Sequence, residues 1–323
     1  MKAIRYLAYG SADVVRLVEI DRPVPKDDEV LIRVSAASVN AMDRHLMRGE
    51  PMPMRLMGGL RKPKDTRMGV DVAGRVEAIG KDVTEFKPGD EVFGVCRGAF
   101  AEYACAPVSR IALKPAGVSF EQAAAAPVAA STALQGLRDK GKVTPGQKVL
   151  INGAGGGVGT FAVQFAKIFG AEVTAASSTM NLDMVRLTGA DRVIDYIRED
   201  FTKGGNRYDV IFDVGATHSW SDLRRALTPE GQLLFAGATT SEGWARPLSM
   251  LFSAMLTSPF VSQKLKVVSG RVTRADLIVI AQYLETGRLK PVIENTFSLS
   301  DAASALRLID EGGARGKTVI VMP

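Results

Sequence analysis

Residues 152–159 read Asn-Gly-Ala-Gly-Gly-Gly-Val-Gly, and their shortage of side chains is itself a chemical signal. A backbone without Cβ atoms can come close to a diphosphate. A helix that starts there offers free N–H groups and the positive end of its dipole to two negative charges. The flanks fit this use: apolar Lys148-Val149-Leu150-Ile151 leads in, and Thr160-Phe161-Ala162-Val163-Gln164-Phe165-Ala166-Lys167 leads out. Val158, Phe161, Ala162, Phe165 and Phe169 fall on one helical face that can pack on a sheet. Strand, glycine turn and helix in that order form the entry of a dinucleotide-binding βαβ unit. The best register is Ala154-x-Gly156-x-x-Gly159, with alanine in place of the first glycine. That makes Ala154, Gly156, Gly157, Val158 and Gly159 the candidate cradle. A plain tight turn is the competing reading.

The surrounding elements support the first reading. From about residue 121, strands at 148–152, 172–176, 192–195, 208–213 and 231–236 alternate with helical stretches at 158–169, 179–188 and 219–227. Such alternation argues for a parallel sheet with helices on both faces. The first 115 or so residues are β-rich instead, with strands expected at Lys2–Ala8, Val14–Ile20, Glu29–Ser35, Val72–Ile79, Glu91–Val95 and Ala101–Ala106. Between Ser38 and Met68 the pattern is lost, and six of the twelve methionines gather there. They suit either an irregular core or an adaptable pocket wall. The last segment mixes strand (Leu265–Val268, Thr318–Val321) with helix (Arg274–Thr286, Ser300–Glu311) and could extend either domain.

Composition sets bounds. A chain of 323 residues suggests two domains. Its richest apolar run, 244–265, is broken by Arg246, Pro247, Pro259 and Lys264, so no spanning helix and no membrane partner is expected. No secretory leader is visible, and two cysteines make a disulfide framework unexpected, which suits the cytoplasm. The net charge of +6 is modest, and Lys and Arg are not interleaved with aromatics in a stripe. That argues against nucleic acid, while a mild positive field favours an anionic cofactor.

Several segments add up to more than their parts: Glu29-Val-Leu-Ile-Arg-Val34, Ser38-Val-Asn40-x-x-Asp43, Gly69-Val-Asp71-Val-Ala-Gly74, Lys87-Pro-Gly-Asp-Glu-Val92, Ala123 to Lys167, Leu187-Thr-Gly-Ala-Asp-Arg-Val-Ile-Asp-Tyr196, Tyr208-Asp-Val-Ile-Phe-Asp213 and Arg315-Gly-Lys317. In this order the chain resembles the medium-chain dehydrogenase/reductase superfamily, in its zinc-independent, quinone-oxidoreductase-like branch. The resemblance implies an α/β protein: a GroES-like β-barrel catalytic domain (1–120), a Rossmann domain with a doubly wound parallel sheet (121–264), and a return segment (265–323) that completes the catalytic domain. It also implies a homodimer. The superfamily's zinc-ligand positions correspond here to Asn40, Val70 and Val128, which cannot ligate zinc. His45, Cys96 and Cys105 would be the remaining metal donors, at spacings that match no metal motif. Hydride transfer without a Lewis acid favours an acceptor that spreads the developing charge, a quinone or an α,β-unsaturated carbonyl. A metal-free alcohol or aldehyde dehydrogenase, and a non-catalytic NADPH-binding protein, stand as alternatives.

The strand ending at Ala176-Ser177-Ser178 lacks the acid that usually meets the ribose hydroxyls of NAD, so Ser177 and Ser178 leave room for a 2′-phosphate. The expected cofactor is therefore NADP(H). Tyr196 matches a tyrosine that meets this phosphate in related enzymes, although the usual Lys or Arg near Met180 is absent; Arg192 or Arg198 could stand in. For the nicotinamide and its ribose the resemblance points to Asn40, Thr132, Gly215, Ala236 and Gly237, with Lys317 facing the cofactor or lying on the surface. His45 falls where relatives place a tyrosine that reaches the substrate; as a proton or hydrogen-bond donor it joins Asn40 as a candidate catalytic residue.

Overall fold

A computed structural model gives the fold; it describes every residue except 237–244, 258–259 and 314, and no side chains for residues 57 and 245–248. The chain opens with strands β1 (Lys2–Tyr6), β2 (Val15–Glu19) and β3 (Glu29–Val39), then helices α1 (Ala41–Arg48) and α2 (Met52–Gly58). Strands β4 (Asp71–Ile79), β5 (Glu91–Val95), β6 (Tyr103–Pro107) and β7 (Ile111–Leu113) follow, then α3 (Phe120–Ala125) and α4 (Pro127–Gln135). The alternating part contains β8 (Lys148–Asn152), α5 (Gly157–Ile168), β9 (Glu172–Ser177), α6 (Leu182–Leu187), β10 (Arg192–Asp195), β11 (Tyr208–Asp213), α7 (Trp220–Ala226), β12 (Leu227–Phe235), α8 (Ala245–Thr257) and β13 (Lys264–Val267). Last come α9 (Arg274–Glu285), β14 (Ile293–Ser298), α10 (Ala302–Asp310) and β15 (Lys317–Val321).

Two compact units result, Met1–Ser131 with Val272–Pro323, and Thr132–Arg271. The second therefore runs past residue 264, because β13 pairs in parallel with β12 and closes the sheet order β10-β9-β8-β11-β12-β13. Numbered within that sheet the order is 3-2-1-4-5-6, the doubly wound arrangement of dinucleotide-binding folds. Its central strands carry Val149, Leu150, Ile151, Val210, Ile211 and Phe212 fully buried, as expected where helices cover both faces.

The first unit holds a seven-stranded sheet, β14-β15-β3-β4-β5-β7, with β6 also on β3. Strand β3 runs beyond the expected Ser35 to Val39. Its first half pairs with β6 and its second with β15 along the same edge, which places Ser38 and Val39 beside Thr318 and Val319. Strand β14 has no counterpart in the sequence reading: Ile293-Glu-Asn-Thr-Phe-Ser298 is too polar to stand out. The methionine-rich stretch folds as α1 and α2; Met47 and Met68 fill the core, whereas Met42 and Met52 are exposed.

Candidate active site

In the second unit, β8 delivers the chain to Gly153, whose φ of 83° suits glycine, and the N–H groups of Gly153 and Ala154 hang the turn on Ala176 O at 3.1 and 3.0 Å. Helix α5 begins at Gly157 with Gly156 as its N-cap, and no side chain caps it. Its first N–H groups are therefore left without a side-chain acceptor. Gly159 is required by packing: a Cβ there would lie 2.1 Å from Gly153 O. A Cβ on Gly156 would meet its nearest atom, Gly153 O, at 3.5 Å, so internal packing does not require glycine there. Ala154 is fully buried and Val158 lies in the first turn of α5.

Beside the turn, the end of β9 gathers hydroxyls and an amide, and Asp195, opposite Ser177 on β10, accepts from Thr179 Oγ1 at 2.6 Å. Ser177 is buried, Tyr196 N–H donates to Ser177 O at 3.1 Å, and the Tyr196 side chain is partly exposed. Asn181 lies over Gly155, where a Cβ would come within 2.5 Å of Ser177 Oγ and 2.6 Å of Asn181 Nδ2. The Asn181 amide donates to Ser178 Oγ at 3.2 Å, and its Oδ1 is buried without a hydrogen-bond partner. The sequence reading passed over Asn181, noting only that a cation is missing near Met180. The two arginines proposed as stand-ins already face carboxylates: Arg192 pairs with Glu199 at 2.9 Å and Arg198 with Asp195 at 3.6 Å.

At the switch point between β8 and β11, Asn152 Nδ2 donates to Asp213 Oδ1 at 2.8 Å, and Ala216 N–H donates to the same oxygen at 3.0 Å. Gly215 backs the turn, its N lying 3.0 Å from where a Gly153 Cβ would stand. Ala236 N–H donates to Asp213 O at 2.9 Å, and Thr132 packs its hydroxyl against Gly270. Gly237 lies outside the described residues. The Asn152–Asp213 pair was not foreseen, since each residue reads alone as the end of a strand.

The first unit holds a cluster of a different kind. Asp71, at the start of β4, is fully buried. Its Oδ2 accepts from Ser38 Oγ at 2.9 Å and from Asn40 Nδ2 at 2.9 Å, and its Oδ1 accepts from Val128 N–H at 3.0 Å. Lys317 is buried, not on the surface. Its Nζ donates to Asn40 Oδ1 at 2.7 Å and to Val39 O at 3.2 Å, and stands 3.6 Å from Asp71 Oδ2. Asp43, three residues into α1, accepts from Asn40 N–H at 2.8 Å and so anchors the N-terminus of the helix. Burial pushes the Asp43 carboxyl up to about 7, against the pull of the Asn40 N–H; the charge of Asp71 adds to the rise. Burial likewise raises Asp71 and lowers Lys317, with their mutual attraction opposing both shifts.

His45 occupies the last turn of α1, about one and a half turns from Asn40. That helix is tied to α10 by Arg48, which meets both oxygens of Asp310 at 2.7 and 2.5 Å, and by Arg44 at 3.1 Å. Burial, and then the Arg44 charge, hold the His45 imidazole below its ordinary value. His45, Cys96 and Cys105 do not assemble: among the described residues no three His, Cys, Asp or Glu side chains come together as metal donors. Burial pushes the Cys105 thiol up to about 11 and the Cys96 thiol also upward; Cys96 belongs to the core of the first unit, and Cys105 is half-buried.

Comparison with known proteins gives this geometry a context. Residues 26–116 match the alcohol dehydrogenase GroES-like domain family, and residues 188–320 match the zinc-binding dehydrogenase family. A 2-methylene-furan-3-one reductase of Solanum lycopersicum is 35% identical over 339 residues, covering 99% of this chain and 79% of its own. An NADPH-dependent alkenal/one oxidoreductase of Arabidopsis thaliana is 33% identical, with 99% and 79% covered. Among solved structures, a quinone oxidoreductase from Coxiella burnetii superposes with a TM-score of 0.87 at 29% identity, covering 100% of this chain and 99% of its own.

Proposed function

This chain belongs to the medium-chain dehydrogenase/reductase superfamily, in its quinone-oxidoreductase-like branch, and from that premise we propose that it is an NADPH-dependent, zinc-independent oxidoreductase acting on quinones or α,β-unsaturated carbonyls. The observation that carries the reading is the uncapped start of α5 beneath a turn whose residue 156 could carry a Cβ without a clash, the nearest atom being 3.5 Å away. Backbone N–H groups there suit a pyrophosphate. Ser177, Ser178, Asn181 and Tyr196 would hold the adenosine end, and no carboxylate among them repels a 2′-phosphate. When bound, NADPH supplies the hydride.

The first unit supplies the groups that orient and protonate. Asn40 is held rigidly and offers an oriented amide. His45 is the proton source for the reduced product; burial keeps it neutral near pH 7, so its help is strongest on the acid side. With Asn40, Val70 and Val128 at the superfamily's metal-ligand positions, charge developing on the substrate has to spread through conjugation.

A panel of quinones, enones and aldehydes with NADPH or NADH, followed by absorbance, tests this. NADPH should bind about ten- to a hundredfold more tightly than NADH, the worth of a charged phosphate contact. His45→Phe should slow enones more than quinones, because the reduced carbon of an enone must be protonated. NADPH binding without oxidation across the panel would sink the enzyme reading.

A further inference from the structure

Four donors from three stretches of chain surround the Asp71 carboxylate: Ser38 Oγ, Asn40 Nδ2, Val128 N–H and, at 3.6 Å, Lys317 Nζ. A carboxylate withdrawn this far from water is costly unless each lone pair is used. The consequence for Asn40 is specific. One amide hydrogen goes to Asp71 Oδ2 at 2.9 Å and the other to Ser38 O at 3.3 Å, while Oδ1 accepts from Lys317 Nζ at 2.7 Å. Turning the amide over would press Oδ1 against a carboxylate and NH2 against an ammonium, both in a poorly screened interior. The amide therefore has one orientation. Both hydrogens are committed inside the first unit, and one lone pair on Oδ1 remains.

We propose that Asp71 is a positioning residue for the reductase: it locks Asn40 so that the amide meets a bound ligand only as a hydrogen-bond acceptor. The group Asn40 recognises is then a donor, such as a sugar hydroxyl or a carboxamide N–H. A quinone or carbonyl oxygen, which can only accept, is not its partner, and stabilising that oxygen falls to another residue. This rests on the function proposed above.

The test compares Asp71→Asn, Asn40→Ala and the double variant in the full-length protein. Asp71→Asn should lower kcat with NADPH at least about tenfold, the loss expected for a charged hydrogen bond. The NADPH dissociation constant, read by cofactor fluorescence, should rise by less than kcat falls, since Asn40 meets at most one donor of the cofactor and the turn of the second unit is untouched. Asp71→Asn combined with Asn40→Ala should be no slower than Asn40→Ala alone, because Asp71 acts through Asn40. Multiplying losses in the double variant, or wild-type turnover in Asn40→Ala, would overturn the assignment. If Asp71→Asn does not fold, Ser38→Ala loosens the same carboxylate by one neutral hydrogen bond and should show a smaller loss with the same non-additivity. An arm independent of turnover reads the Asn40 side-chain amide by NMR. Its hydrogens should exchange slowly in the wild type and faster in Asp71→Asn or Ser38→Ala; unchanged exchange in both overturns the lock. If the wild type reduces neither substrate class, the function fails, while the NMR arm still decides the role of Asp71.

Discussion

The carboxyl edge of the parallel sheet and the buried start of β4 are built from opposite materials. At the sheet edge, recognition is left to backbone: glycines, an uncapped helix and a few hydroxyls and amides. At β4 it is left to side chains, with Asp71, Asn40, Asp43 and Lys317 held almost without solvent. The first design tolerates changes of charge and suffers from added bulk. The second tolerates small changes of shape and suffers from lost charge. Substitutions chosen along those two axes should separate the regions.

The largest effect belongs to Lys317→Met. It keeps the length of the side chain but leaves the Asp71 and Asp43 carboxyl groups in one cluster without its cation, at 0% exposure each. Breaking a buried pair from one side costs about 3–5 kcal/mol. Chemical denaturation should show that loss, and adding Asp71→Asn should recover much of it by removing the stranded charge. A Lys317→Met protein as stable as the wild type would mean that the cluster is neutral when folded.

These two designs also differ in how far they can be read from sequence. The glycine turn announces itself in eight consecutive residues, because close backbone approach puts its demands on neighbours in the chain. The alternating strands and helices were legible for the same local reason, and the strand bounds 148–152, 192–195 and 208–213 agree with β8, β10 and β11. The charge cluster draws on residues 38–43, 71 and 317, which the pairing of β3 with β4 and β15 brings together, and on Val128 of α4. In the sequence Asp71 was one letter of a motif, and Lys317 was equally a cofactor-facing or a surface lysine. Nothing short of the strand register shows that its ammonium turns inward to Asn40. Asn181 was hidden differently: it is close in sequence to Ser178, but its value comes from lying over Gly155.

Asp43 sharpens the comparison through pH. Its folded value of about 7 stands above that of an ordinary carboxyl, so between roughly pH 4 and 7 the folded protein binds more protons than the unfolded chain. Stability should therefore fall as pH rises through that window and level off above it, by at most about 1.4 kcal/mol per pH unit from this group. Asp43→Asn keeps an oxygen for the Asn40 N–H and should flatten this part of the profile, being the more stable protein at pH 8 and no better at pH 4. Parallel melting profiles for the two proteins would remove Asp43 from the list of groups that burial controls.

The smallest effects on stability, and the finest separation of fold from function, come from alanine at two glycines of one turn. At Gly159 the new Cβ would meet the Gly153 carbonyl at 2.1 Å and Ala154 Cα at 2.7 Å. Both are backbone atoms that cannot swing aside, so Gly159→Ala should cost about 1–3 kcal/mol as an overpacked site and weaken NADPH binding with it. At Gly156 the nearest atom is 3.5 Å away, and φ −86°, ψ 172° suits any residue. Gly156→Ala should melt within about 0.5 kcal/mol of the wild type, as a substitution that makes only ordinary contacts does. Its methyl nevertheless stands at the mouth of α5, where a pyrophosphate must touch the N–H groups, so NADPH affinity should still fall about tenfold for a lost contact of this strength. Thermal melting alongside cofactor titration reads both variants. Unchanged NADPH affinity in a well-folded Gly156→Ala protein would return the glycine run to the plain tight turn it resembles at first sight.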